Sequence, residues 1–299
     1  MSTPATAERR KHAQRNRNSI FIEEGELLRV DAFAGEQFIQ RIRVPQCAAA
    51  AKPGSFVYIT CDETLPMRRP LSIMRAQDDW IEVLFKKAGD GMHALSKKRI
   101  GQKFSVLGPI GQPFNPDPEK PLALLIGGGV GIPPMIFLAD QLRHDPAYKP
   151  LAILGSELPF PFELGKSQIP IDGIDADTNS TMPRMEHWGI PARLTSLAGF
   201  DGCHRGYVTE LADQWLARLS PEELAKVKIF SCGPTPMLRA VADLAARYGV
   251  ACEVSLEEFM ACAVGGCAGC VVRIRTDDGD AMKRVCVDGP VFDASTVAW

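Results

Sequence analysis

Four cysteines define the chemistry this chain could perform. Cys262, Cys267 and Cys270 lie in one run, Cys262-Ala263-Val264-Gly265-Gly266-Cys267-Ala268-Gly269-Cys270, and Cys286 follows after fifteen further residues. C-x4-C-x2-C with a distant fourth cysteine is a ligand spacing of a [2Fe–2S] cluster. Three thiolates can converge on two irons only from a tight loop that turns back on itself. The spacers are all small or apolar, and glycine lets the backbone turn through positive φ and bring its amides close to sulfur. Such N–H groups help set a cluster's reduction potential. Zinc sites favour two C-x2-C knuckles, and this chain has one. Disulfides need an oxidising compartment, and no secretion signal is visible. The pattern therefore predicts electron transfer, with Cys262, Cys267, Cys270 and Cys286 as the metal ligands.

Three further constellations could supply electrons. In Arg68-Arg69-Pro70-Leu71-Ser72-Ile73 a guanidinium and a hydroxyl share one strand. Arg69 could pair with a pyrophosphate, and Ser72 or a backbone amide could meet a flavin edge. On composition alone the run reads first as an ordinary strand with a surface arginine. Gly89-Asp90-Gly91-Met92 opens a short helical pattern, whose free N–H groups would favour a phosphate; by itself the run reads equally as a hairpin turn. Gly127-Gly128-Gly129-Val130-Gly131-Ile132-Pro133-Pro134 follows an apolar run and precedes a helical pattern. Strand, glycine turn and helix make a dinucleotide-binding arrangement, although the glycines do not follow strict G-x-G-x-x-G. Without a ligand the same glycines would simply pack a helix on a sheet. Glu157 follows the next apolar run, where a carboxylate can hold a ribose 2′-hydroxyl and repel a 2′-phosphate, so NAD is favoured over NADP. Cys232-Gly233-Pro234 ends a later strand pattern, placing a thiol where ligands bind in open α/β sheets.

The elements that must position these residues fall into blocks. From Ser19 to about Asn115 the pattern alternates with period two and is broken by turns such as Pro53-Gly54 and Asp78-Asp79, which predicts a small β-barrel. Asn115-Pro116-Asp117-Pro118 reads as a linker. Residues 122–126 read as a buried parallel strand and 135–142 as a helix. A second strand follows at 151–154, with a helix at 210–219, a strand at 228–231 and a helix at 237–248. Residues 158–200 read as irregular, with a solvated acidic loop at 172–177. The expected division is a tail at 1–18, a barrel at 19–117, an α/β domain at 118–252 and a cluster module at 253–299.

Composition bounds the rest. The chain has 299 residues, 45% hydrophobic and 23% charged, in the range of a globular protein with sizeable cores. Its net charge of −2 gives no electrostatic case for nucleic acid. The uncharged run 122–139 holds four glycines and a Pro-Pro pair, so no membrane span is expected. Nine cysteines, five of them scattered, suit a reducing cytoplasm. Residues 1–18 are basic with no apolar core; a disordered tail is expected, and the composition also suits a transit peptide.

Taken in order, Arg69-Pro70-Leu71-Ser72, Gly89-x-Gly91, Gly108-Pro109-x-Gly111, 127–134, Cys232-Gly233-Pro234 and the four cysteines resemble the ferredoxin-reductase superfamily. Within it the chain resembles the electron-transfer subunits of NAD-linked (type B) bacterial dihydroorotate dehydrogenases. The tail from Ser255-Leu256-Glu257 through Cys270, and Cys286-Val287-Asp288-Gly289-Pro290-Val291-Phe292, carries the most specific match, and Gly206-Tyr207-Val208-Thr209 also resembles that family's approach to its fifth strand. The resemblance covers roughly residues 20–155 and 205–295. It implies a Greek-key flavin-binding β-barrel, then a parallel-sheet NAD-binding α/β domain, then a small C-terminal [2Fe–2S] module. It implies FAD held by Arg69, Pro70, Leu71, Ser72, Gly89, Gly91 and Met92. It further implies NAD(H) at Gly127, Gly129, Gly131, Glu157 and Gly233, with Cys232 beside the nicotinamide. The partner would be an FMN-containing dehydrogenase subunit or another redox protein in a hetero-oligomer. Related subunits serve sulfide dehydrogenases, hydrogenases and ferredoxin reductases, and a stand-alone reductase or a cluster-based redox sensor are the competing functions. Two departures stand out: Met92 replaces the usual threonine, and Ala263 stands where glycine is common.

Overall fold

A computed structural model describes residues 19–299 of the chain. The expected tail at 1–18 lies outside the described residues. Six strands come first: β1 (Phe21–Phe33), β2 (Gln37–Arg43), β3 (Phe56–Ile59), β4 (Arg69–Gln77), β5 (Trp80–Lys86) and β6 (Lys103–Ile110). They close into an antiparallel barrel in the order β1-β2-β5-β4-β3-β6. Alternation explains the closure: Leu27, Ile42, Val57, Ile59, Ile73, Ile81, Val83 and Val106 all point into one buried cluster. Two short helices plug the ends, α1 (Pro45–Ala50) and α2 (Gly89–Ser96). Leu95 and Met92 of α2 reach into the barrel core.

The chain then passes through 115–118, which is tied down at Asn115 through both of its backbone groups. The Asn115 N–H donates to Glu253 at 2.9 Å, and its carbonyl accepts from Lys228 Nζ at 2.7 Å. The Lys228 ammonium is itself paired with Glu253 at 2.8 Å, so the connection is pinned by a largely buried ion pair.

The second sheet has six strands in the order β11-β8-β7-β12-β13-β16. Five are parallel: β7 (Leu122–Gly128), β8 (Lys149–Gly155), β11 (Ala192–Thr195), β12 (Val227–Cys232) and β13 (Ala251–Ser255). The sixth, β16 (Val291–Asp293), runs antiparallel along β13. Helices α3 (Ile132–Leu142) and α4 (Pro183–His187) contribute residues to the core on one face. On the other face α5 (Val208–Leu216) and α7 (Thr235–Tyr248) do so, while α6 (Pro221–Leu224) is a single capped turn before β12. Both faces are covered, which is why the strands read as unbroken apolar runs.

The region 158–200, expected to be irregular, contributes more than a loop. It carries the short pair β9 (Gly165–Lys166) and β10 (Ser180–Thr181), then α4, then edge strand β11. β11 escapes a periodicity reading because it is four residues long and carries Arg193, which is buried and donates to the Ala192 and Ile169 carbonyls. Gly206-Tyr207-Val208-Thr209 opens helix α5.

Residues 256–290 form an excursion between β13 and β16. It comprises the cysteine loop, the hairpin of β14 (Val271–Thr276) with β15 (Gly279–Arg284), and a turn bearing Cys286. β13 crosses the expected division at 252/253, and β16 rejoins the sheet, so the excursion is stitched to the α/β domain at both ends. Ala263, Cys270, Ile274, Val285, Cys286 and Val287 share one core with the sheet and with Phe56, Tyr58 and Ile110 of the barrel. The Gln112 N–H donates to the Gly289 carbonyl at 2.6 Å and its side chain to Val287, which fixes the Cys286 turn against the barrel exit.

Candidate functional site

The loop 262–270 turns back on itself through three residues in the left-handed region. Gly265 has φ +78°, and Ala263 and Ala268 also stand in the left-handed region, at +57° and +53°. That conformation costs an L-residue roughly 1–2 kcal/mol. Ala263 is buried against the sheet core, so packing holds it there. The departure from glycine at 263 therefore keeps the positive φ and takes the strain. Strain of this kind gathers at functional sites.

The four cysteines come together in pairs. Among the described residues no group of three or more His, Cys, Asp and Glu side chains closes on one point, as a single metal ion would require. Instead the strongest thiol–thiol interactions run from Cys267 to Cys262 and from Cys270 to Cys286, with Cys262 also acting on Cys286. Two pairs are the donor set for two irons with two protein ligands each. Burial works to raise the Cys262 thiol, but the backbone N–H groups of Cys267, Val264 and Gly266 outweigh it and bring it down to about 7. The Cys267 N–H lies 3.5 Å from Cys262 Sγ, and the Gly269 N–H 3.4 Å from Cys267 Sγ. Cys286 is pushed the other way, to about 12, first by burial and then by Cys270. A site with amides aimed at sulfur and four soft donors fits an iron–sulfur cluster.

The barrel side of this loop meets the Arg69 strand. Tyr58 of β3 donates its hydroxyl to the Met260 carbonyl at 2.9 Å and the Ala261 carbonyl at 3.2 Å. Burial raises the Tyr58 phenol against the pull of Arg69, and the Cys262 and Cys267 sulfurs add to the rise. On the strand ladder Tyr58 faces Pro70, Ile59 faces Arg69, and Phe56 faces Ser72. The expected flavin strand is thus next to the residue that holds the cysteine loop. Leu71 turns into the barrel, while Arg69, Pro70 and Ser72 are half-buried.

Helix α2 lies over Arg69. A Cβ on Gly91 would stand 2.8 Å from Arg69 Nε and 3.1 Å from its Cγ, so glycine is what admits the guanidinium. Gly89 opens the helix at φ +68° with nothing within 4 Å of its would-be Cβ. Arginine beside an open, glycine-led helix start fits a dinucleotide pyrophosphate. Met92 sends its side chain into the barrel core, which leaves only its backbone for a ligand.

In the sheet, the chain leaves β7 for β8 on one side and returns to β12 on the other, so the carboxyl ends of β7 and β12 bracket the switch point. Gly127 is in register with Cys232 across that gap. A Cβ on Gly131 would overlap the Cys232 carbonyl and the Gly233 nitrogen, so the glycine turn and the cysteine turn are packed face to face. Gly129, at φ +54°, has open space beside it. Glu157 is exposed just past the end of β8, on the same edge of the sheet. Cys232 is buried and its thiol is pushed up to about 12 by that burial, against a hydrogen bond with Ser255 and with the charge of Glu257 adding to the rise. It is therefore a neutral thiol, suited to packing or weak donation rather than to nucleophilic attack. Burial, and then Glu258, raise the Glu257 carboxyl in turn.

Two residues had no local signal: Tyr58 and Phe259. Tyr58 acts 202 residues along the chain, and Phe259 matters through an exposure of 96% that spacing alone does not reveal.

Comparison with known proteins agrees with this arrangement. Residues 257–298 match the iron–sulfur cluster binding domain of dihydroorotate dehydrogenase B. A dihydroorotate dehydrogenase B (NAD(+)) electron transfer subunit from Caldanaerobacter subterraneus subsp. tengcongensis is 31% identical over 245 residues, covering 82% of this chain and 86% of that protein. Its counterpart from Listeria monocytogenes is 34% identical over 269 residues, covering 88% and 93%. Among solved structures, an NADH-dependent reduced ferredoxin-NADP oxidoreductase superposes with a TM-score of 0.72 at 25% identity, covering 93% of this chain and 90% of that one. Phthalate dioxygenase reductase shares the fold at a TM-score of 0.55 and 14% identity, covering 92% and 78%. With the barrel, the open sheet and the cysteine loop all in place, the chain belongs to the family of dihydroorotate dehydrogenase B (NAD(+)) electron transfer subunits.

Proposed function

We propose that this chain is an oxidoreductase subunit that passes electrons between NAD(H) and the FMN-containing catalytic subunit of a dihydroorotate dehydrogenase, in pyrimidine biosynthesis. The observation that carries the reading is Tyr58. One residue of the Arg69 strand's neighbour is bonded to the cysteine loop, so a flavin site and a cluster site are wired to the same strand pair. When bound, FAD would take a hydride's two electrons from the nicotinamide, and the [2Fe–2S] cluster would carry them onward singly.

The chain's own residues do the rest. Arg69 and the start of α2 hold the pyrophosphate of FAD, with Ser72 at the flavin edge. The Gly127–Gly131 turn lets the NAD pyrophosphate approach the backbone, and Gly233 keeps the facing wall low. Glu157 receives the adenosine ribose and disfavours a 2′-phosphate. Cys232, neutral and buried, lines the nicotinamide position. Cys262 and Cys267 hold one iron, and Cys270 and Cys286 the other. Acid–base chemistry on dihydroorotate belongs to the partner.

No helix among the described residues is long and apolar enough to cross a membrane. All nine cysteines are free, which supports a reducing cytoplasm as the setting. The test is isolation from the native host with its partner attached, followed by kcat/KM for NADH and NADPH. Co-isolation of an FMN-bearing subunit and a preference for NADH are expected. A ferredoxin or oxygenase as the partner, or a preference for NADPH, would contradict the reading.

A further inference from the structure

Gly265 stands at the turn of the cysteine loop, and its carbonyl accepts from Arg284 Nη1 at 3.0 Å. A peptide group is planar and trans, so the Gly265 C=O and the Gly266 N–H point in opposite directions. With the carbonyl drawn toward Arg284, the Gly266 N–H faces the other way. On that side the Cys267 N–H stands 3.5 Å from the Cys262 sulfur, and the Gly266 and Val264 N–H groups act with it to lower that thiol. The Gly265 N–H, on the preceding peptide, pulls the Cys286 thiol down against its burial.

Arg284 is itself held. Asp288 Oδ2 accepts from Arg284 Nε at 2.9 Å, and Asp288 Oδ1 accepts from Nη2 at 3.1 Å. The same carboxylate accepts the Arg284 backbone N–H at 2.8 Å. This fork leaves Nη1 aimed at Gly265. The Arg284 carbonyl in turn accepts from the N–H groups of Val287, Asp288 and Gly289, so the turn bearing Cys286 is wound on the same residue. The two segments are in direct contact, since a Cβ on Gly265 would come within 2.8 Å of Val287 Cγ2 and 3.2 Å of Arg284 Nη1.

We propose that Arg284, locked by Asp288, is a positioning residue that fixes the Gly265–Gly266 peptide and so aims backbone N–H donors at the cluster sulfurs, raising the cluster's reduction potential. The reduced form carries one more electron and so one more negative charge, which N–H···S bonds stabilise preferentially. The inference rests on the cluster assignment above and adds a role for two residues that ligate nothing.

The test compares iron content and cluster reduction potential in the purified, cluster-loaded chain and in Arg284→Lys, Arg284→Gln and Asp288→Ala. Lysine keeps the charge but cannot form the fork. Iron should stay near the wild-type level in Arg284→Lys and Asp288→Ala. The ratio of reduced to oxidised cluster at the wild-type midpoint should fall about tenfold in all three, ~59 mV for one electron. An unchanged potential with full iron in Arg284→Lys and Asp288→Ala would overturn the proposal. So would a fall confined to Arg284→Gln, which would mean that bare charge acts rather than peptide orientation. Loss of iron from all three would also overturn it, because a purely structural residue would do the same. A wild-type chain without iron would instead overturn the cluster assignment, and this inference with it.

Discussion

At the scale of single residues, the cysteines do unequal work. Cys286 is buried and comes from a separate turn, so it closes the site that the loop 262–270 opens. Cys286→Ser is expected to lose most of the iron while flavin stays bound, because the barrel does not depend on that side chain. Iron and flavin assays on one preparation check this; unchanged iron would remove Cys286 from the ligand set. Gly91 makes a matching prediction for the flavin. Gly91→Ala would press on the Arg69 side chain, which can swing away, so the barrel should fold with an unchanged melting temperature but with flavin affinity reduced about tenfold or more. Titration of the flavin-free chain with FAD measures it, and unaltered affinity would mean Arg69 is not a flavin ligand. These residues were legible in the sequence because their signal is local: a spacing, or a glycine where a side chain would be expected. Arg284 and Asp288 were not. Their meaning lies in a carbonyl 19 residues away, and a charged pair at i and i+4 has no reason to stand out.

At the scale of elements, β3 and β4 are where the barrel and the cysteine loop become one unit. Tyr58→Phe removes the hydroxyl's bonds to the Met260 and Ala261 carbonyls. Leaving these carbonyls unpaired should cost about 1–2 kcal/mol. The expected result is a lower melting temperature and faster iron release to a chelator, with FAD affinity kept; unchanged values in both would mean the bond is incidental. Strands β7, β8 and β12 were legible as short apolar runs next to glycines. β11 and β16 were not, since strands of four and three residues carry too little periodicity, and each exists only because a longer strand already stands beside it. The stretch 256–290 looked like an appended module for the same reason: nothing local to Val291-Phe292-Asp293 says that the chain returns to β13.

At the scale of the whole molecule, what matters is the face through which the cluster meets its partner. Phe259 is 96% exposed, Met282 60% and Val264 50%, all within the excursion that carries the cysteines. Exposed apolar side chains on the segment that carries the cysteines suit a contact surface, and electron transfer needs the next centre close by. Val264→Lys should leave NADH–dye reduction through the flavin nearly intact, because the glycine turn and Cys232 lie elsewhere. It should slow electron delivery to the partner about tenfold or more, since the added charge must be desolvated in the contact. Stopped-flow traces of flavin reduction and partner reduction separate the two steps, and equal loss in both would show that this face does not dock.

The most direct measurement is an anaerobic titration of the isolated, loaded chain with NADH, followed by visible absorption for the flavin and by EPR for the cluster. The account predicts that NADH bleaches the flavin and brings up the signal of a reduced [2Fe–2S] cluster in the same sample, and that dihydroorotate alone does neither. In Cys286→Ser the flavin should still bleach and the cluster signal should be absent. A flavin that NADH reduces without any electron reaching a cluster in the wild-type chain would contradict the claim that one strand pair connects the two.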